Sequence, residues 1–186
     1  ITKYLPSLAG YSLLNEIKNL DLFLDNPKKP NSAIIGGSKI STKIALLENL
    51  VEYFDNLIIG GAMANTFLFA KGIKVGKSLV ESSLSHVAIK ILEKAKKFNC
   101  KIILPIDAVC SNNLEDLNSI KYTRIDNVLP DQMILDIGSK SILAINKILL
   151  RSRMILWNGP LGAFEYEPFK RSTIEIAKTL KINSKL

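Results

Sequence analysis

Cysteine is scarce in this chain. Cys100 and Cys110 are the whole complement in 186 residues, and they have no metal-ligand spacing. Two cysteines in a chain of this size read as buried thiols in a reducing compartment, not as a disulfide framework. No apolar run approaches the ~18 residues that span a bilayer. No basic-then-apolar signal opens the sequence. Aromatic residues make up 7% and do not alternate with the basic ones, so the stacking platform of a nucleic-acid binder is missing. Repeats and low-complexity segments are absent, as is any block of five like charges. The dinucleotide fingerprint, Gly-x-Gly-x-x-Gly after a strand, does not occur, which argues against a nicotinamide or flavin oxidoreductase.

What is present suits one folded domain. The chain is 47% hydrophobic and 23% charged, enough apolar material for a sizeable core. Its net charge of +8 fits a polyanionic partner, either nucleic acid or a small phosphate compound. A generally basic proteome would give the same excess.

Periodicity organises the rest. Leu13, Leu14, Ile17, Leu20 and Leu24 recur at helical spacing over residues 10–24. Then short apolar runs alternate with amphipathic stretches. "AIIGG", "NLIIGG", "CKIILPID", "QMILDIG" and "RMILWNGP" read as strands, with a further short strand expected near Tyr122–Ile125. Between them "STKIALLENLVEYF", "AMANTFLFAKG", "SSLSHVAIKILEKAKKF", "SKSILAINKILLRS" and "EPFKRSTIEIAKTLK" read as helices, with Ser41 as the N-cap of the first. This alternation predicts an α/β fold, a three-layer α/β/α Rossmann-like arrangement with at least five parallel strands. Ligands of such sheets sit beyond the carboxyl ends of the strands. Those ends are Gly36-Gly37, Gly60-Gly61, Pro105-Ile106-Asp107, Asp136-Ile137-Gly138 and Asn158-Gly159-Pro160. Glycine at four of the five favours a binding rim over ordinary turns.

Two stretches invite a phosphate. "GIKVGKS" (residues 72–78) has three residues between its glycines where a P-loop has four, and it follows a helix. It reads as a loop. "AIIGGSKISTKIALLENL" has the better context: strand, glycine turn, helix. Lys39 and Lys43 stand around that helix's first turn, where positive charge opposes the helix dipole by roughly 0.3–1 kcal/mol. A bound polyphosphate would resolve the conflict by accepting backbone N–H groups and pairing with both ammonium ions. Two solvated lysines that tolerate the dipole would look the same. Glu165, beyond the Asn158-Gly159-Pro160 turn, suits a carboxylate that accepts from paired ribose hydroxyls, and equally a surface glutamate at the start of the last helix. His86 reads as a helix-surface residue and Trp157 as core. Lys94, Lys96 and Lys97 end a helix, where cations suit the dipole.

Taken in order, "TKYLPSLAG", "IIGGSKISTKIALLENL", "LIIGGAMANTFLFAKG", "VGKSLVE", "ILPIDAV", "LDIGSKS" and "ILWNGPLGAFEYEPF" resemble phosphoglycerate kinase, in its bacterial wording, across nearly the whole chain. The resemblance implies the carboxy-terminal, nucleotide-binding domain of a two-domain cytoplasmic enzyme of glycolysis. That family, usually monomeric, transfers a phosphoryl group between 1,3-bisphosphoglycerate and ADP, giving 3-phosphoglycerate and ATP, with Mg2+. By matched position, Lys39 and Lys43 would contact the nucleotide phosphates and the group in flight, as the catalytic pair. Gly36 and Gly37 would form the floor beside them. Gly60 and Gly61 would line the adenine pocket, with Gly138 on another side. Asn158, Pro160, Gly162 and Ala163 would lie along the nucleotide, and Glu165 would hold the ribose hydroxyls. Ala62 and Ala163 stand where the family often has Gly and Val.

The resemblance also implies domain limits. Residues 1–9 look like the end of an amino-terminal domain and hinge, and residues 10–186 like the nucleotide-binding domain, ending before the GGGDT segment whose aspartate binds the magnesium nucleotide. No metal ligand is therefore expected in this chain. The amino-terminal domain, with its arginines for 3-phosphoglycerate, has no counterpart here. The chain reads as a fragment, a split subunit or a decayed copy, expected to bind nucleotide weakly and to show no turnover alone. A catalytically dead nucleotide-binding or interaction module of the same fold is the alternative. Neither nucleic acid nor a membrane is expected as a partner.

Overall fold

The computed structural model describes residues 3–25 and 27–183, apart from the side chains of residues 19 and 22–25. In chain order come α1 (Tyr11–Asp25), β1 (Asn31–Ile35), α2 (Ile44–Tyr53), β2 (Asn56–Ile59), α3 (Gly61–Ala70) and α4 (Ser85–Lys97). They are followed by β3 (Lys101–Ile103), β4 (Asp107–Ser111), β5 (Lys121–Arg124), β6 (Met133–Ile137), α5 (Ser139–Leu149), β7 (Met154–Asn158) and α6 (Arg171–Ile182).

The main sheet is parallel, in the order β3-β2-β1-β7. All five residues of β1 are buried, as expected of a parallel strand covered on both faces. The pleat divides its side chains between two cores. Ala33 and Ile35, with Leu57 and Ile59 of β2, pack against Leu47 and Val51 of α2, Met63 and Phe67 of α3, and Ala88 and Ile91 of α4. Ile34 and Ile58 point the other way, onto Ile142, Ile145 and Leu149 of α5 and Ile176 of α6. Each buried Leu, Ile, Val, Met or Phe among them contributes roughly 1.5–3 kcal/mol. The expected three-layer architecture, helices on both faces of a parallel sheet, is the one observed.

The parallel sheet has four strands where five were expected. "CKIILPID" is not one strand. Pro105 has no N–H to offer a ladder, and the N–H groups of Ile106 and Asp107 donate to Ser141 Oγ (2.9 and 3.2 Å). The chain leaves the main sheet after Ile103. It re-forms as β4 in a second, antiparallel sheet of order β5-β4-β6. β6, read from its apolar run as parallel, is therefore antiparallel. A third core lies beneath this sheet, joining Leu68 of α3 to Val75, Ala108, Cys110, Ile125 and Val128.

Ser41 does not cap α2. Its N–H and hydroxyl both donate to the Glu81 carboxylate (3.0 and 2.6 Å), so the helix starts later, at Ile44. "GIKVGKS" is a loop, as expected, and Ser78 Oγ accepts from Ile134 N–H at 2.8 Å. Cys100 and Cys110 are buried and free, and burial pushes both thiols up to about 11. The α1 stripe exists, but Leu13, Leu14, Ile17 and Leu20 remain 41–50% exposed and join none of the three cores; the Leu24 side chain lies outside the described residues. No described helix is long and apolar enough to cross a membrane.

Candidate ligand cleft

The carboxyl ends of β1, β2 and β7 are knitted by backbone hydrogen bonds. Gly36 N–H donates to Asn158 O, Gly60 N–H to Ile35 O, and Gly61 N–H to Leu161 O, each within 3.0 Å. Met63 N–H donates to Gly37 O at 2.9 Å, tying the first turn of α3 to the β1 turn. Two glycines make this closeness possible. A Cβ on Gly36 would stand 1.8 Å from Pro160 O. Gly61 has φ +65°, and a Cβ there would stand 2.5 Å from Gly37 O.

Beside this junction opens a cleft of about 570 Å³, within the usual range for small-molecule sites. Gly37, Ser38, Gly61, Ala62 and Asn65 form one wall. Leu79, Pro105 and the β6 segment Met133–Ile137 form the back. The loop from Pro160 to Tyr166 forms the other side. Of the residues singled out in the sequence, Gly37, Gly61, Pro160, Gly162, Ala163 and Glu165 line this cleft. Glu165 lies in that loop, six residues before α6 begins at Arg171. It does not start the helix.

Gly36, Gly60 and Asn158 stand directly behind the lining, in the hydrogen-bonded junction. So does Lys43. Its ammonium donates to Gly36 O at 2.7 Å and to Asn158 Oδ1 at 2.6 Å, and a Cβ on Gly37 would lie 3.4 Å from it. Both acceptors are neutral, and Lys43 is in none of the ion pairs among the described residues. Burial alone lowers its pKa. Lys39 is exposed before α2; burial of the nearby Glu81 carboxylate would raise its pKa, but hydrogen bonds from Ser41 and from the Ile40 backbone, and last the Lys39 charge, lower it. The two lysines thus flank a turn instead of sharing a helix face. Gly138 is apart from the cleft: a Cβ there would meet the Asp107 carboxylate, which accepts from Lys140 N–H and Ser141 N–H at the start of α5.

Two lining residues escaped the sequence reading. In the sequence Asp136 reads only as part of a strand end, two residues before Gly138. Its carboxylate is buried beside Gly162 and accepts from Ser172 Oγ, Ser172 N–H and Ile137 N–H. Burial pushes it up to about 6, against the pull of those donors and Arg171. Asn65 was the other. Its signal was a lone amide four residues after Gly61 in the apolar helix "GAMANTFLFA".

His86 lies on the surface of α4, with Nδ1 3.0 Å from Ser83 O. Lys94 pairs with Glu52 at 2.5 Å. Among the described residues no three His, Cys, Asp or Glu side chains converge to hold a metal ion.

The architecture is that of an α/β domain whose cleft opens where a parallel sheet ends and glycine turns meet. The phosphoglycerate kinase family model matches residues 1–185. The phosphoglycerate kinases of Bartonella quintana and Rhizobium meliloti are 46% and 47% identical over 178 residues, covering 96% of this chain and 45% of each relative. The solved phosphoglycerate kinase of Coxiella burnetii superposes with a TM-score of 0.90 at 39% identity, over 95% of this chain and 45% of that one. That of Pyrococcus horikoshii OT3 gives 0.82 at 26% identity. The chain belongs to the phosphoglycerate kinase family, and spans about 45% of the length of the curated relatives it matches.

Proposed function

We propose that this chain is the ATP- and ADP-binding half of a phosphoglycerate kinase, working in glycolysis in the cytoplasm. The observation that carries the proposal is Lys43: a partly desolvated ammonium, satisfied only by neutral oxygens, set behind a glycine bend that lines an apolar cleft. Such a cation is completed by an anion.

In this reading Lys39 and Lys43 meet the phosphates, and Gly36 and Gly37 let the backbone approach them. Gly60 and Gly61 form the adenine side. Asn158, Pro160, Gly162 and Ala163 run along the nucleotide, and Glu165 takes the ribose hydroxyls. Gly138 contributes at one remove, by leaving room for Asp107 to order α5. Magnesium arrives with the nucleotide as part of the substrate. Phosphoryl transfer requires alignment and neutralisation of the moving charge. The lysines supply neutralisation on one side. The acceptor, 3-phosphoglycerate, needs groups that the family carries in its other domain, so the 186-residue chain alone binds nucleotide without turnover.

Titration calorimetry with ADP and ATP tests the binding claim. Saturable heat supports it, and its absence contradicts it. ATP formation from ADP and the acyl phosphate by this chain alone would contradict the claim of no turnover.

A further inference from the structure

Asp136 is a buried carboxylate in the cleft wall for which the proposed chemistry has no use. Three donors converge on it. Ile137 N–H donates to Oδ1 at 2.9 Å and Ser172 N–H to Oδ2 at 3.0 Å, and the Ser172 hydroxyl donates to Oδ1. Burying a carboxylate is costly even when it is hydrogen-bonded. A helix start is ordinarily capped by a serine, threonine, aspartate or asparagine of its own. α6 has no such cap at Lys170; its first turn is held by a residue 36 positions earlier, on β6.

The cleft loop is fastened to the two elements that this carboxylate joins. Gly162 is pinched beside it: a Cβ there would stand 2.3 Å from Asp136 Oδ1 and 2.4 Å from Phe169 O. Its neighbours are tied to α6 and β6. Leu161 N–H donates to Thr173 Oγ1 at 3.1 Å, and Ala163 N–H to Leu135 O at 2.7 Å. Glu165 follows two residues later. It is exposed and in none of the ion pairs among the described residues, so the backbone that carries it sets its place. We infer that Asp136 is a positioning residue: by fastening the start of α6 to β6 it sets the loop that presents Glu165 to the ligand's ribose. The inference rests on the nucleotide reading above and adds the group that gives its ribose contact a fixed geometry.

The test compares ADP with 2′-deoxy-ADP by competition binding. The two share base and phosphates, so their affinity ratio reads the ribose contact alone. The unaltered chain is expected to favour ADP by about tenfold. Asp136→Asn offers one oxygen in place of two, so a Ser172 donor loses its acceptor and the ratio should fall to about threefold or less. Ser172→Ala removes the hydroxyl donor and keeps the carboxylate. It should lower the ratio by a smaller factor, and it decides the matter should Asp136→Asn fail to fold. A role confined to stability would lower the urea midpoint and leave the ratio where it was. That result, in folded Asp136→Asn or in Ser172→Ala when it decides, would overturn the inference while leaving nucleotide binding intact. Equal affinities in the unaltered chain would take Glu165 off the ribose, and this inference with it. Binding of neither nucleotide would overturn the nucleotide reading itself.

Discussion

Lys43 Nζ donates to Asn158 Oδ1 at 2.6 Å, joining residues 115 apart in sequence, one just before α2 and the other at the end of β7. The bond aims the ammonium at the β1 turn. Lys43→Met is expected to weaken ADP binding by about tenfold or more, the scale of a hydrogen bond to a charged group. Asn158→Ala leaves the charge but frees its direction, so its loss should be smaller. Calorimetric titration of both variants measures the difference.

In the proposed reading Glu165 takes the ribose hydroxyls. Glu165→Ala should lower ADP affinity and also erase any preference of ADP over 2′-deoxy-ADP. Competition binding with the two nucleotides reads this directly. A preference that persists in the variant would remove Glu165 from the role.

Gly36 has no room for a side chain. Gly36→Ala drives a methyl into Pro160 O, which is backbone and cannot swing aside. The expected cost is about 1–3 kcal/mol, read as a lowered urea midpoint. Gly72→Ala differs, because a Cβ there meets nothing within 4 Å, and its φ of +82° leaves only backbone strain.

Much of this was legible locally. The β1 run and its two glycines announced a buried strand and a rim, because burial on both faces and a sharp exit both leave marks in neighbouring residues. The partner of β6 left no such mark. An apolar run reports burial, and its neighbour's direction depends on where Pro105 sends the chain. Ser41 was misread for the same reason. Serine before an apolar helix is a good cap signal, but here Glu81, 40 residues away, takes both its donors. The α1 stripe was read correctly as a helix, yet no described core receives it. Lys43 was picked out as a cation near a helix start; only the fold shows that neutral oxygens hold it.

Asp136 makes stability depend on pH. Its folded pKa of about 6 stands above the ordinary carboxylate value of roughly 3.9. Between these values the folded chain holds a proton that the unfolded chain has lost. Its contribution is therefore full below about pH 4 and is lost as pH rises through about 6. The loss is about 3 kcal/mol at most. Asp136→Asn should flatten urea stability across that window. An unchanged slope in the variant would mean that the carboxylate is already ionised there.

The central claim is that the glycine bend of β1 and the ammonium behind it form the phosphate end of a nucleotide cleft. Amide NMR during ADP titration tests it most directly. The account predicts saturable shifts at Gly37, Ser38 and Lys39, accompanied by Gly61 and Ala163 across the cleft. If the amides from Gly36 to Lys43 stay where they are in the folded protein at saturating ADP, the assignment is wrong.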